Sequence, residues 1–339
     1  MSASPANASA SRHTPHFAEI DQVSNQPGKA NITDPDAVNS WGLALSPTGP
    51  LWVANNGTNT ATIYQGGVRG AAVTKAGLTV TIPGGAPTGQ AFNDTNDFAI
   101  KVGRKSAPAT FLFVSEDGDL TAWSSKVSGT TASLVAHVDG AVFKGLALVH
   151  TRFGPFLLAT DFVGGRIVVF DKHFRPVKLP KNVFHDPNLP KGYAPFNVHA
   201  EGDHIFVTYA LQQAGSDDEA HGPGLGIVDE FTNLGTKVKR IASNGALNAP
   251  WGLTIAPLGF GEFTGALLVG NFGDGRINVF RGDRFLGQLR DTKNQPITID
   301  GLWALLPGTA STGGLGTLWF SAGPDDEANG LVGQLIPTG

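Results

Sequence analysis

Side chains that bear oxygen recur at one position of this sequence, directly after apolar runs spaced about fifty residues apart. The runs are WVAN, FVSE, LATD, VTYA, LVGN and WFSA, which place Asn55, Glu116, Asp161, Tyr209, Asn271 and Ala322 in equivalent positions. Carboxylate and amide oxygens are the ligands that hard cations such as Ca²⁺ prefer. The sequence therefore predicts a divalent metal, Ca²⁺, held by Asn55, Glu116, Asp161 and Asn271. The alternative for the two Asn residues is turn formation, because Asn side chains bond to their own backbone after a strand.

Two acidic segments resemble each other, GSDDEAHGPGLG at 215–226 and GPDDEANGLVG at 323–333. Both carry Asp-Asp-Glu after an apolar run, in a chain that is otherwise poor in charge. We expect these segments to bind a second cation on the same face, with Asp217 and Asp325 among its ligands. The full candidate set is Asp217, Asp218, Glu219, Asp325, Asp326 and Glu327. The alternative is a pair of solvated acidic turns, which is the usual role of a run of charge.

A second set of residues begins the repeats and is predicted to line a substrate pocket: Trp41, Asn93, Asn197 and Trp251. Trp side chains at such positions also serve as core anchors. Lys144 begins the third repeat, where it is either a base or anion anchor or the ion-pair partner of Asp161 or Glu116. With these two carboxylates, Lys144, His199 and Tyr209 complete the predicted catalytic set.

The elements that position these residues are short strands separated by Gly-rich turns. The repeats begin at Trp41, Asn93, Lys144, Asn197, Trp251 and Gly301, about 50–54 residues apart. This spacing predicts an all-β, six-bladed β-propeller with four antiparallel strands in each blade. Fourth strands are expected at 133–138, 237–243 and 284–289. The last repeat lacks one, so we expect the segment from His16 to Ser24 to complete the last blade and close the ring.

Composition narrows the possible functions. The 339 residues carry a net charge of −4 and no basic stripe, which argues against nucleic acid as a partner. The chain has no Cys, no apolar run of about 18 residues and no phosphate-binding glycine motif, so we expect no transmembrane segment and no nucleotide or organic cofactor. We expect a disordered tail at 1–15, without a signal peptide, and one monomeric domain at 16–339.

Several longer motifs carry a family resemblance: KGLAL, APFNV, NAPWGL, GALLVGNFGDGRINVF, DGLWAL and AGPDDE. They resemble an uncharacterised family of six-bladed propellers, often exported and partly associated with PEP-CTERM sorting, in bacteria and some fungi and plants. The shape is also similar to NHL-type propellers and, more loosely, to gluconolactonase-type propellers, whose metal is held by carboxylates and amides from several blades. The resemblance implies an extracellular or periplasmic location.

Three functions remain open from the sequence. The first is a metal-dependent hydrolase or lactonase, in which the cation activates water and Asp161 or Glu116 acts as base on a small ester or lactone. The second is a metal-dependent lyase or isomerase, in which Lys144, His199 or Tyr209 moves protons. The third is a non-catalytic exported propeller with structural Ca²⁺ whose face holds a glycan or a protein. For the chain in general, we expect a small-molecule or glycan ligand at the central channel.

Overall fold

The computed structural model describes residues 14–338, and these residues form strands, turns and three short 3₁₀ segments with no α-helix. Six antiparallel sheets stand around a central channel, which confirms the predicted six-bladed β-propeller. No helix in this range is long and apolar enough to span a membrane. The predicted disordered tail falls almost entirely on residues 1–13, outside the described part of the chain.

The first three blades are each built from four strands that follow one another outward from the channel. Blade 1 contains Ser40–Leu45, Leu51–Asn55, Thr60–Gly66 and Val73–Lys75, with Val80–Thr81 added at its edge. Blade 2 contains Pro87–Phe92, Phe111–Ser115, Asp119–Trp123 and Ser133–His137. Blade 3 contains Phe143–Thr151, Gly154–Asp161, Arg166–Phe170 and Pro176–Val177.

The next two blades repeat this order, and the last is completed from the other end of the chain. Blade 4 contains Tyr193–Glu201, His204–Gln212, Ile227–Thr232 and Lys237–Ser243, with Glu219–Ala220 paired to its second strand. Blade 5 contains Pro250–Ile255, Leu267–Asn271, Ile277–Arg281 and Arg284–Gln288. Blade 6 contains Leu302–Pro307, Leu318–Ala322, Leu331–Thr338 and His16–Ser24. Additional short elements are Ile32–Thr33, Arg290–Asp291, and the 3₁₀ segments Asn56–Thr58, Val68–Gly70 and Gly261–Phe263.

The N-terminal strand closes the ring as the sequence predicts. His16–Ser24 pairs antiparallel with Leu331–Thr338, with His16 opposite Thr338 and Ser24 opposite Leu331. Phe17 is buried on this strand and packs against Phe260, with 4.8 Å between ring centroids. The first and last parts of the chain therefore share one sheet, which covers the edge that the last blade would otherwise expose.

The start of the second repeat differs from the prediction. The inner strand of blade 2 is Pro87–Phe92, and Asn93 follows its end rather than beginning it. The Asn93 amide donates to the carbonyls of Asp97 and Ala109 and its oxygen accepts from the Thr95 backbone, so it holds a turn. The apolar residues that suggested a first strand belong to a separate hairpin, Ala99–Val102 with Lys105–Pro108.

The inner strands approach one another closely around the channel, because they converge on one axis. A Cβ at Gly42 would lie 2.3 Å from the carbonyl oxygen of Thr88, so this position accepts only glycine without a backbone shift. At five junctions between blades, a side chain of one blade donates a hydrogen bond to an inner-strand carbonyl of its neighbour. The pairs are Gln90 to Gly42, Thr88 to Phe143, Thr160 to Phe196, Asn197 to Trp251 and Ser321 to Trp41. These bonds fix the side chains that line the channel.

Candidate functional site

The second strand of each blade ends on one face of the ring, which we call the upper face. The residues there are Asn55, Ser115, Asp161, Asn271 and Ala322, each opposite the start of its inner strand. In blade 4 the second strand continues to Gln212, and Tyr209 lies before its end, opposite Pro195. Glu116 therefore lies one residue beyond the strand-end position that the alignment of the six repeats assigns to it. Because strand side chains alternate between faces, this one-residue difference separates Glu116 from the other predicted ligands.

The other predicted metal ligands form hydrogen bonds or ion pairs with neighbouring protein groups. The Asn55 amide donates to Thr62 at 2.9 Å and its oxygen accepts from Ser40 at 3.1 Å. Asp161 accepts the backbone N–H groups of Val142 and Gly164 and pairs with the Arg166 guanidinium at 2.8 Å. These two side chains therefore shape the strand ends.

The Asn271 amide likewise donates locally, to the Ala246 carbonyl and the Asp274 carboxylate. Asp217 is exposed on its insert. Asp325 bonds to Asn329 and Gln26 at the surface. The structure therefore leaves the six predicted metal ligands distributed over the upper face.

The chemical centre of the upper face is Lys144, the second residue of the inner strand of blade 3. Its side chain is 1% exposed, and its ammonium lies 2.5 Å from Glu116 Oε1 and 3.7 Å from Asp218 Oδ1. The ammonium also lies 5.2 Å from the Trp41 ring centroid, within range of a cation–π contact. Burial alone lowers the pKa of Lys144, but the charges of Glu116 and Glu219 outweigh it and the net pKa is raised. Lys144 is thus a buried cation, in the predicted ion pair with Glu116.

Two further carboxyl groups complete the centre, Glu219 from blade 4 and Glu327 from blade 6. Burial raises the pKa of Glu219 to about 7, against an opposing effect of the Lys144 charge. Burial, together with the charge of Glu219, raises the pKa of Glu327 to about 7. Both pKa values therefore lie near neutral pH, a range in which a carboxyl both gives and takes protons.

Amide side chains orient these carboxyl groups. Asn39 donates to Glu327 Oε2 at 2.6 Å and accepts from the indole N–H of Trp303 at 2.9 Å. Asn56 donates to Glu116 Oε2 at 2.9 Å. The site thus joins Lys144 to groups from four further parts of the ring, and we refer to Glu116, Lys144, Glu219 and Glu327 as the Lys144 cluster.

The backbone that carries Glu327 is in an uncommon conformation. Asp325, Asp326 and Glu327 have φ angles of 57°, 51° and 65°, three successive left-handed residues without a glycine. Each such residue costs roughly 1–2 kcal/mol relative to the right-handed conformation. The turn brings the last carboxyl of the Asp-Asp-Glu segment to Asn39 while its first carboxyl stays at the surface.

Aromatic rings close the channel beneath the cluster. Trp303 stacks between Trp41 and Phe272, with centroid distances of 3.6 and 3.9 Å. Trp251 and Phe196 meet Trp303 edge-on at 5.9 and 6.1 Å. We call these five residues the aromatic plug, in which Trp41 and Trp251 are both buried in the core.

The remaining predicted site residues lie apart from the Lys144 cluster. Tyr209 is buried inside blade 4, where desolvation and then the charges of Asp229 and Asp186 raise its pKa well above the usual range. His199 and Asn197 lie farther along the inner strand of blade 4 and line a cavity on the other side of the plug, as Trp251 does. The structure therefore brings together only Lys144 and Glu116 of the five predicted catalytic residues.

Comparisons with known proteins identify relatives of this chain. No family model matches it. It is 34% identical over 324 residues to uncharacterized protein R648 of Acanthamoeba polyphaga mimivirus, covering 92% of this chain and 78% of that protein. The chain belongs to the family of this mimivirus protein. A second member, uncharacterized protein L690 of the same virus, is 32% identical over 331 residues, covering 93% of this chain and 84% of the relative.

Solved structures share the fold of this R648-family member at low sequence identity. A protein of unknown function from Bacteroides thetaiotaomicron matches with a TM-score of 0.55 and 12% identity, covering 94% of this chain and 73% of that one. A chain of a nidogen/laminin complex matches with a TM-score of 0.50 and 13% identity, covering 86% and 96%. These likenesses show the fold alone. The PEP-CTERM association is not supported by any of these matches, and export stays a prediction.

The residues of this family member do not fit the predicted Ca²⁺ site. Ca²⁺ takes about 6–8 oxygen ligands. Within residues 14–338, no three His, Cys, Asp or Glu side chains converge as metal ligands. Beside Glu116, the position that a cation would take is taken by the Lys144 ammonium. The upper face is therefore built around an internal cation, the Lys144 ammonium.

Proposed function

We propose that this chain is an enzyme that moves protons on a small organic substrate at the upper face, as a lyase or isomerase does. The observation that carries the proposal is a pair of carboxyl groups, Glu219 and Glu327, whose pKa values are raised to about 7 beside the buried ammonium of Lys144. General acid–base catalysis is most efficient when the pKa of the catalytic group is close to the working pH.

Glu327 is the proton acceptor in this proposal, because it is only partly buried and Asn39 orients its carboxylate. The proton moves from an acidic C–H of the substrate to Glu327, and the electron pair moves into the adjoining carbonyl. Return of that proton to the former carbonyl carbon of a 2-hydroxy carbonyl compound gives an isomer, provided that the hydroxyl proton moves to the former carbonyl oxygen and the hydroxyl oxygen becomes the new carbonyl. Departure of a group from the neighbouring carbon, with the proton, gives an elimination product. Neither outcome requires an oxidant or a metal.

Lys144 acts as a positioning residue rather than as the acceptor. Its ammonium is buried and raised in pKa, so it keeps its proton at neutral pH and holds Glu116 in place. Because its side chain is only 1% exposed, it cannot contact a substrate carbonyl in this conformation. This closed position favours a carbon acid activated by its own carbonyl over an ester or lactone that needs an external electrophile.

A second candidate is binding without catalysis, and the closed upper mouth favours it. The aromatic plug and the buried Lys144 leave Glu116 and the acidic inserts as the accessible groups. The upper face would then present an acidic surface to a small molecule or glycan.

Deuterium exchange separates the two candidates. The protein is incubated in D₂O with a panel of 2-oxo acids, 2-hydroxy ketones and sugar acids, and deuterium incorporation at C–H positions is followed by NMR. We expect incorporation into at least one class, a loss of at least a hundredfold in Glu327→Gln, and no change in Glu262→Gln, whose carboxyl lies outside the cluster. Equal exchange in the two variants would refute Glu327 as the acceptor, and binding without any exchange would favour the second candidate.

A further inference from the structure

The fourth strand of blade 3 is shorter than those of its neighbours. It contains only Pro176–Val177, whereas the fourth strand has five residues in blade 2 and seven in blade 4. The chain leaves the sheet after Val177 and forms a turn, in which Val183 donates its backbone N–H to the Pro180 carbonyl. The outer edge of the third strand, Arg166–Phe170, is therefore paired only at its last two residues.

The unpaired part of this edge is centred on Ile167. Asp171 donates its backbone N–H across the hairpin between the third and fourth strands, and alternate residues of a strand direct their backbone groups to the same edge. Val169 therefore also faces outward, where it pairs with Val177, and Ile167 is next in this series. Continued pairing would place Leu179 opposite Ile167, but no backbone hydrogen bond within residues 14–338 joins the two. The N–H and C=O groups of Ile167 are thus the free positions on this edge.

A cavity of about 500 Å³ lies beside the free edge. Residues 165–168 form one part of its wall, and side chains of the segment 176–185 form most of the rest. Ile167 lines the cavity and keeps 8% of its surface exposed. An unpaired strand edge that opens on a cavity is a template for pairing with another chain.

The side chains around this cavity are basic. Its lining contains no Asp or Glu, although the whole chain carries a net charge of −4. The basic residues are all exposed, and they are Arg166, Lys178, Lys181 and His185. Within the described part of the chain only Arg166 is engaged in an ion pair, with Asp161 at 2.8 Å. The unpaired lysines repel a second copy of the same edge and favour an acidic partner.

We propose that the outer edge of blade 3 binds an extended acidic segment of a partner protein by strand addition. The backbone of the segment pairs with Ile167, and its carboxylates meet Lys178 and Lys181. The free strand edge favours a peptide over other polyanions, because phosphate and sulfate groups would use the positive charges alone. This surface lies on the outside of the ring and is independent of the chemistry proposed for the upper face.

The first test compares three labelled peptides on the wild-type protein by fluorescence anisotropy. The probe is a short peptide of alternating valine and glutamate. One control has lysine in place of glutamate, and the other keeps the glutamates but is N-methylated along its backbone, which removes the N–H donors. We expect a dissociation constant of about 100 μM for the probe and at least tenfold weaker binding of each control.

A pair of charge reversals locates the binding. Lys178→Glu with Lys181→Glu reverses the two unpaired lysines of the cavity, and we expect binding of the acidic peptide to weaken at least tenfold. The matched control is Arg284→Glu with Lys293→Glu, which makes the same change of charge at exposed positions of blade 5 and after it. We expect this control to bind the peptide as the wild type does.

Hydrogen exchange of the Ile167 amide, followed by NMR, reports strand pairing directly. Excess acidic peptide is expected to slow this exchange at least tenfold, because the peptide backbone covers the N–H group. The Val169 amide is already paired with Val177, so its exchange is expected to stay unchanged.

Three results would each overturn the proposal. The first is no binding of the acidic peptide at about 1 mM. The second is equal binding of the N-methylated peptide or of a polyphosphate of the same charge, which indicates recognition by charge alone. The third is unchanged exchange of the Ile167 amide in a complex that does form. The peptide comparison and the exchange measurement use only the wild-type protein, so they decide the matter even if a variant fails to fold.

Discussion

Glu219→Gln is expected to stabilise this propeller at alkaline pH and to have little effect in acid. Glu219 is 4% exposed, and burial raises its pKa from 4.5 to about 7. The folded state therefore binds this proton more tightly than the unfolded state, and stability falls as the pH rises from 4.5 to 7. Glutamine keeps the shape of the protonated acid and has no proton to lose.

The size of the effect follows from the shift. A raised pKa of this size lowers the free energy of unfolding by about 3 kcal/mol at pH 8 and by about 1 kcal/mol at pH 5, relative to a side chain that does not titrate. The difference in free energy of unfolding between Glu219→Gln and the wild type thus increases by about 2 to 3 kcal/mol from pH 5 to pH 8. For a chain of 339 residues this corresponds to about 3 to 4 °C in Tm.

The assay is a series of thermal melts at pH 5, 6, 7 and 8 for the wild type, Glu219→Gln and the half-buried control Glu262→Gln, whose carboxylate accepts from Thr14 outside the cluster. We expect the Tm difference between Glu219→Gln and the wild type to increase with pH and the control to show none. A pH-independent difference, or a difference that is largest at pH 5, would refute the assignment of a raised pKa to Glu219.

Three further predictions concern the same face. Lys144→Met removes the only lysine of the cluster and leaves the neighbouring carboxylates without their cation, so we expect a loss of about 3 kcal/mol at pH 8 in urea unfolding. The loss is expected to be smaller at pH 5, because the raised pKa of Glu219 keeps that group protonated there, and a pH-independent loss would contradict this. Asp326→Gly relieves a left-handed φ of 51° and is expected to stabilise the fold by about 1 kcal/mol, whereas Asp326→Ala gives no such gain. EDTA is expected to leave the Tm unchanged. A decrease in Tm that added Ca²⁺ reverses would instead support the predicted metal site on the upper face.

The architecture follows from local pattern, which is why the sequence predicts it well. Apolar runs and Gly-rich turns recur at one spacing, and each repeat needs its neighbours to bury its faces. The closing strand His16–Ser24 is predicted by the same count, because the last repeat is one strand short. The second repeat is misplaced because the hairpin Ala99–Val102 with Lys105–Pro108 carries a similar apolar pattern outside the blade.

The site is harder to predict than the fold, because a shift of one residue along a strand decides which side chains meet. Glu116 reaches Lys144 since it lies one residue past the strand end, whereas Asp161, at the strand end itself, bonds to its own loop. The repeated Asp-Asp-Glu segments signal the upper face, but a sequence pattern does not reveal that the last carboxyl of each turns inward. For Glu327 that orientation depends on three successive left-handed residues, whereas residues other than glycine adopt this conformation singly.

The buried charge at Lys144 also bears on whether the cluster is structural or functional. A buried ion pair contributes little net stability, and apolar residues of similar volume stabilise such a site as well or better. We therefore expect the combined variant Lys144→Met, Glu116→Leu and Glu219→Met to be at least as stable as the wild type. Its loss of deuterium exchange, without loss of stability, would show that the charges serve chemistry. A variant that unfolds would show that the charges hold the plug and the inserts together.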